Sequence, residues 1–406
     1  MPFIRIGTLM ALCFMASPLH AESSVVVTLS GVRDRVRSQN PDLAAARLHI
    51  QEALGRMNQS GRLANPELET AFEHNPSSRE GRLELGLSQR FPMTGRLQLE
   101  KDLSLTEMKA AEAEVREVER QITGQAREAV VKILALRQRR ELLHEQSTNS
   151  AEFATFLGES AAKGEGSLVD AGQAKLEAAS LKMEMRQLEA NEASIVGELK
   201  SLLGMRVGEA LTVSGSLSEP VLPAATNRSQ RPDLEAAGLN ALAAKQNVAL
   251  EQSRRYEDIE GGLFAAAERA EDAPNGYEDE AIIGLRFKIA LPFRNKNEGA
   301  IQEAKAKQQR MEMERLALSR KINLEADASL TEMREWARMI HEINETLLPL
   351  ATDQSRLAED AYRKAQGEIQ NVLRSREKRL QLAAAKLDAL REFHLARVRH
   401  ETALGK

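Results

Sequence analysis

Polar and apolar positions alternate in two rhythms along this chain, and each rhythm occurs twice. The first has a period of two. Leu83, Leu85, Leu87 and Phe91 fall on one side of an extended segment, and Glu84, Gly86, Ser88 and Arg90 fall on the other. Further on, Ile283, Leu285, Phe287, Ile289 and Leu291 alternate with Gly284, Arg286, Lys288 and Ala290. One apolar face at period two predicts a strand, and Pro92 and Pro292 stop ladder pairing where the runs end. A shorter strand-like run precedes each. The second rhythm steps by three and four: Val115, Val118, Ile122, Ala126, Ala129, Ile133 and Leu136, then Leu330, Met333, Trp336, Ile340, Ile343, Leu347 and Leu350. That spacing predicts helices long enough for coiled-coil packing. Pro349 is expected to kink the second of them.

The order of elements repeats as well. "QNPDLAAARLH" from Gln39 and "QRPDLEAAGLN" from Gln230 both put Pro at a helix start with an acid in the first turn. Each opening leads to two strands, a long helix, a Gly-containing break and a returning helix that closes on Leu203-Gly204 or Leu404-Gly405. The chain therefore divides into a leader (1–21), a first repeat (22–204), a connector (205–230) and a second repeat (231–406). Expected strands run over 66–74 and 82–91, then 258–268 and 281–291. Expected long helices run over 97–157 and 168–203, then 298–361 and 370–404. The extra length of the second repeat is assigned to its inter-strand loop, "RAEDAPNGYEDE".

Composition agrees with long helices rather than one large core: aromatics are 3% and charged residues 29% of 406 positions. A net charge of −4 carries no nucleic-acid footprint. The first residues pair Arg5 with a short apolar run from Ile6 to Ala16, and cleavage after Ala21 is the expected outcome of a secretory signal. Cys13, the sole cysteine, lies in that run after Leu12, so it is read as removed with the leader rather than lipidated. No later run reaches the length of a membrane helix.

The strands nonetheless have the length that crosses a bilayer at a tilt, about 9–11 residues. Four strands cannot close a membrane barrel, and an open edge cannot face lipid. Strands pooled from three chains would make twelve, with Glu84, Arg286 and Lys288 facing a wet lumen and the leucines facing lipid. The alternative is a secreted coiled-coil scaffold or adhesin whose strands form a small soluble sheet.

Taken together, "NPDL" and "RPDL", "FPMTGR", "LPFRNKNEGAI", "LLG" before the connector, "LLPLA", "AYRKA" and "EFHLARV" resemble the TolC family of outer-membrane efflux proteins. "FPMTGR" and "LPFRNKNEG" look most like its heavy-metal cation branch. The resemblance implies a mainly α fold with a small β part, assembled as a homotrimer: a twelve-stranded barrel in outer-membrane lipid, continued by a helical tunnel through the periplasm. It implies a passive duct without cofactor or catalytic site, served by a periplasmic adaptor protein and an inner-membrane pump of the RND or a related type. It also places the two helix breaks at the tunnel tip. There Gly164 is followed six residues later by Asp170, and Gly166 and Gly367 turn the chain. In the second break Tyr362 fits the family pattern, but Ala365 replaces the Gly, Asn371 replaces the acid, and Arg374 stands where a further acid can occur. Charge alone suggests an Asp170–Arg374 latch.

Other chemistry is poorly supported. His144, His341, His394 and His400 lack paired ligand spacing and are expected to be solvated or satisfied rather than metal-bound. The "NRS" at Asn227 fits a glycosylation triplet that arises often by chance.

Overall fold

The computed structural model describes residues 25–164, 166–224, 231–272, 274–364 and 366–406. The expected leader, Cys13, Asn227 and Ala365 lie outside them. The chain is mainly helical. Strand β1 (Val25–Val27) leads to α1 (Val32–Gln39) and α2 (Pro41–Gln59), then to strands β2 (Glu67–His74) and β3 (Gly81–Phe91). Helix α3 (Arg96–Ala162) and helix α4 (Leu168–Leu202) follow as an antiparallel pair. The second pass consists of β4 (Leu211–Val213), α5 (Pro232–Ser253), β5 (Ile259–Asp272), β6 (Gly276–Ile289), α6 (Glu298–Glu342), α7 (Leu348–Arg363) and α8 (Ile369–Ala403). At about 1.5 Å per residue, the 67 residues of α3 reach about 100 Å.

Three features depart from the sequence expectations. The "RAEDAPNGYEDE" segment is not a long loop: β5 and β6 extend through it as a continuous ladder to the pair Asp272–Gly276, so the added length makes a taller hairpin. Gly276 takes φ +103° there, a conformation that disfavours a side chain. The connector is not wholly irregular, because β4 pairs in parallel with β1. Pro349 does not simply kink a helix. A π-helical turn, Ile343–Leu347, separates α6 from α7 just ahead of it. Proline offers no N–H and crowds the carbonyl four residues back, and one wide turn accommodates both.

The opening and closing of the first repeat are adjacent in space, which explains their sequence. Asn40 caps α2 by accepting from the Leu43 N–H at 2.8 Å, and its amide donates to the Leu202 carbonyl at 2.8 Å. Gly204, at φ +63°, packs against Gln39 so closely that a Cβ would overlap the Gln39 carbonyl oxygen. "NPDL" and "LLG" are thus two halves of one joint. It borders the main apolar core, where Val32, Val36, Leu43, Ile133, Leu199, Leu203, Met333, Ile340 and Phe393 are almost fully buried. His394 closes the other side, donating from Nε2 to the Ser218 carbonyl at 2.9 Å. Burial there pushes its pKa down, so the ring is neutral and structural. His400 is likewise satisfied, by Ala326 O at 3.0 Å and Ser329 Oγ at 3.2 Å.

Replacing Asn40 by Ala should cost about 1–2 kcal/mol, the usual worth of a helix cap. Gly204→Ala should cost more, since it adds a steric overlap and a strained φ. Thermal unfolding followed by helical circular dichroism checks both; an unchanged midpoint in Gly204→Ala would refute the joint.

Candidate functional site

Two regions hold the candidate residues: the sheet and the far ends of the long helices. The sheet has the order β2-β3-β5-β6, every neighbour antiparallel, with β2 and β6 as free edges. Its faces are inverted relative to a soluble protein. Ile283 is 79% and Leu285 70% exposed, whereas Glu84 on the opposite face is only 9% exposed. Leu83, Leu85, Leu87, Phe287, Ile289 and Leu291 are also exposed.

The opposite face is a ladder of ions, with Glu84 buried among them and Arg90, Arg286 and Lys288 half or more exposed. The Arg286 guanidinium donates to the Glu84 carboxylate and, at 3.2 Å, to Glu69. Arg82 donates to Glu84 at 2.7 Å, and Arg90 lies 3.2 Å from Glu67 and 3.5 Å from Glu260. Lys288 lies 3.9 Å from Glu260. The three lumen candidates, Glu84, Arg286 and Lys288, therefore share this face. Sequence reasoning missed how they fit together. Arg286 belongs to edge strand β6 yet reaches β2 and β3, so the sheet curls inward across β5. Small residues make that possible: Gly262 stands opposite Arg286 in the register, and Gly284 leaves room for the Phe264 ring, which a Cβ at Gly284 would overlap. Arg286 in turn stacks over Phe264, 5.0 Å from the ring centre.

At the helix tip, α3 turns into α4 and α7 into α8. Gly164 adopts φ +77°. A Cβ on Gly166 would press on the Ala161 N at 3.1 Å, and one on Gly367 would press on Ala361 and Tyr362 at 3.3 Å. The two turns thus need glycine for the same reason, close approach to the end of the incoming helix. Ser167 caps α4, accepting from the Val169 and Asp170 N–H groups. This sets Asp170 in the first helical turn, where its Oδ2 accepts from the Tyr362 hydroxyl at 3.2 Å. Burial and the nearby Asp170 carboxylate hold the Tyr362 phenol above its usual pKa.

The Asp170–Arg374 latch is not formed within the chain. Arg374 and Asn371 are exposed, while Ile369, Val372 and Arg376 occupy the packed side of α8. Arg376 is the tip cation that the sequence reading missed. It is 7% exposed, lies 4.3 Å over the Phe153 ring and is bonded through Nε to Glu359 at 2.8 Å. Phe153 also meets the Tyr362 ring edge-on at 6.2 Å. The available clue was an arginine inside the apolar stripe at steps of three and four. Ser150 donates to Glu177 at 3.4 Å. Among the described residues, Glu177 Oε2 and Arg376 Nη1 are buried without hydrogen-bond partners. Burial raises the Glu177 pKa, and the charge of Arg376 opposes that rise without cancelling it.

Among the described residues no group of His, Cys, Asp and Glu could hold a metal ion, and no helix is long and apolar enough to cross a membrane.

Comparison with known proteins shows what the chain resembles. Residues 32–205 match the outer membrane efflux protein family. Among individual proteins, it is 25% identical to the cobalt-zinc-cadmium resistance protein CzcC of Cupriavidus metallidurans, over 95% of this chain and 88% of that one. Its fold matches the outer membrane protein VceC from Vibrio cholerae (TM-score 0.74, 21% identity, 93% of this chain and 96% of that one). It also matches CusC, a protein described for transmembrane channel formation (TM-score 0.76, 17% identity, 93% and 91% covered). The likenesses to CzcC, VceC and CusC each extend over both repeats.

The tip cluster makes a testable set. Arg376→Ala strands Glu359 and empties the space over Phe153, and should loosen the tip by about 1–3 kcal/mol. Hydrogen exchange in α7 and the first turns of α8 would rise, and unchanged exchange would refute the role. Glu177 gives a pH dependence of known sign. With its folded pKa raised, the folded tip keeps a proton that the unfolded chain releases, so tip stability falls as pH rises through that window. Glu177→Gln should flatten this dependence and slow exchange at neutral pH, as read from the same peptides.

Proposed function

We propose that three copies of this chain form the outer-membrane duct of a tripartite efflux system. The observation that carries the reading is the sheet itself: an exposed aliphatic face, an opposite face of mutually paired ions and two open edges. A soluble scaffold or adhesin would bury the leucines and wet the charges, so that alternative is disfavoured. In lipid, the open edges must be paired. Strand directions alternate across the sheet, so β6 of one copy can meet β2 of the next in antiparallel fashion, and three copies close twelve strands. Glu84, Arg286 and Lys288 then line the lumen, and the long helices continue it as a tunnel into the periplasm.

The tip is the gate in this reading. The Asp170–Tyr362 bond and the stacking of Arg376 on Phe153 tie the α3–α4 pair to the α7–α8 pair, and Asn371 and Arg374 face the opening between copies. A periplasmic adaptor docking at the tips would loosen these ties, and an inner-membrane pump of the RND or a related type would supply the energy. The duct itself is passive and uses no cofactor. The likeness to a cobalt-zinc-cadmium resistance protein supports heavy-metal cations as cargo. A mixed tip of Asn and Arg attracts cations less than a ring of carboxylates, so selection is assigned to the pump rather than the tip. The signal peptide is taken to be cleaved after Ala21, leaving an unlipidated chain.

Fractionation tests the core of the proposal. Wild-type chain should appear in the outer membrane as an SDS-resistant trimer, and soluble periplasmic monomer would overturn it. Leu285→Arg puts a charge on the lipid face, costing about 2–4 kcal/mol per copy at mid-bilayer, and should abolish the trimer. In planar bilayers Tyr362→Phe should raise conductance, while equal conductance would remove Tyr362 from the gate.

A further inference from the structure

The two strand-to-helix junctions at the base of the sheet are built alike but end in different chemistry. In the first repeat, Phe91-Pro92-Met93-Thr94-Gly95-Arg96 leads from β3 into α3. In the second, Leu291-Pro292-Phe293-Arg294-Asn295-Lys296-Asn297 leads from β6 into α6. The basic residue of the first junction is fully engaged: Arg96 bonds Asp258 at 2.7 Å and Glu100 at 2.9 Å. The second carries two cations, Arg294 and Lys296, both exposed. Among the described residues, neither has a carboxylate within ion-pair distance. The neighbouring acid Glu251 is already committed, bonding Asn297 Nδ2 at 2.9 Å and Arg254 at 2.7 Å. Glu298 sits in the first turn of α6, where the helix N-terminus favours it.

Beside these cations stands Phe293, 80% exposed. It continues the exposed row of Ile283, Leu285, Phe287, Ile289 and Leu291 past the end of the strand. The segment is fixed rather than loose. The Phe293 N–H donates to the Leu291 carbonyl at 2.8 Å, and Asn297 anchors to the end of α5 through the Glu251 carbonyl at 2.9 Å. An aromatic ring at the edge of an apolar belt, next to unpaired cations, fits the boundary of a bilayer: the ring sits at headgroup depth and the cations meet phosphate.

We propose that Phe293, Arg294 and Lys296 form a foot that binds anionic phospholipid headgroups in the periplasmic leaflet. The proposal rests on the outer-membrane reading above and adds a lipid requirement to it. Three feet per trimer would hold the barrel at a fixed depth where the helical tunnel begins. They supply by protein–lipid contact what an acylated N-terminus would supply covalently. The first repeat, with Met93 and Thr94 at the matching places, contributes apolar contact but no phosphate binding.

The test uses the purified full chain in vesicles of phosphatidylcholine alone and of equal parts phosphatidylcholine and phosphatidylglycerol. Wild type is expected to unfold at a midpoint about 2–4 °C higher in the anionic vesicles, with the gain lost at high salt. The double variant Arg294→Gln/Lys296→Gln should insert equally and match wild type in phosphatidylcholine, yet gain nothing from phosphatidylglycerol. The conservative variant Arg294→Lys retains both charges and should retain the gain. Inorganic phosphate added to phosphatidylcholine vesicles should give no rise; a rise equal to that from phosphatidylglycerol would mean a free-phosphate site and overturn the lipid assignment. Equal gains in wild type and double variant, or no gain in wild type, overturn the proposal while leaving the duct intact. Failure of wild type to enter either vesicle overturns the membrane reading and the foot with it.

Discussion

The sheet that wears its aliphatic side chains outward imposes the central constraint on this molecule. Such a face is stable only against lipid or another apolar surface, and lipid in turn forbids unpaired strand edges. One chain supplies four strands, too few to close a membrane barrel. In the duct proposed above, self-association is therefore built into the chemistry of the single chain. The ionic ladder beneath the sheet is the counterpart of that choice, since charges turned inward need partners or water. Glu84 has two arginine partners, and Arg286 has two carboxylates and a ring.

Much of this was legible in the sequence because it depends on period and punctuation. Alternation at Leu83–Phe91 and Ile283–Leu291 gave the strands and their two faces. Recurrent "PDL" and "LG" gave the duplication, and their meaning became clear only when Asn40 and Gly204 were found on opposite sides of one joint. Steps of three and four gave the long helices, whose apolar stripes are narrow enough to leave most charged residues solvated.

What the sequence concealed were interactions made at a distance and choices among equally plausible local forms. The segment Arg269–Glu280 is rich in turn-formers and charges, so it reads as loop. Cross-strand pairing overrides that local preference and makes it hairpin. Three residues at each of β1 and β4 are too short to announce themselves, and each exists only because the other is there. At the tip, charge pairing by sign suggested Arg374, whereas helix phase selected Arg376, two positions on. Its burial depends on Phe153 and Glu359 from two other helices, which no local pattern specifies.

The π-helical turn at Ile343–Leu347 has a consequence of a different kind. Each residue in a helix rotates the direction of those after it by about 100°. One wide turn therefore acts as a phase setting for everything downstream, and Tyr362 lies roughly 25–30 Å along the rod from it. The face that α7 offers to Asp170 and Phe153 is fixed by where the rod slips by one residue, well away from the contacts themselves. A shift in that slip would turn the whole end of the rod without altering a single side chain at the tip. The proline and its wide turn therefore serve as the rotational index of the far end of the molecule.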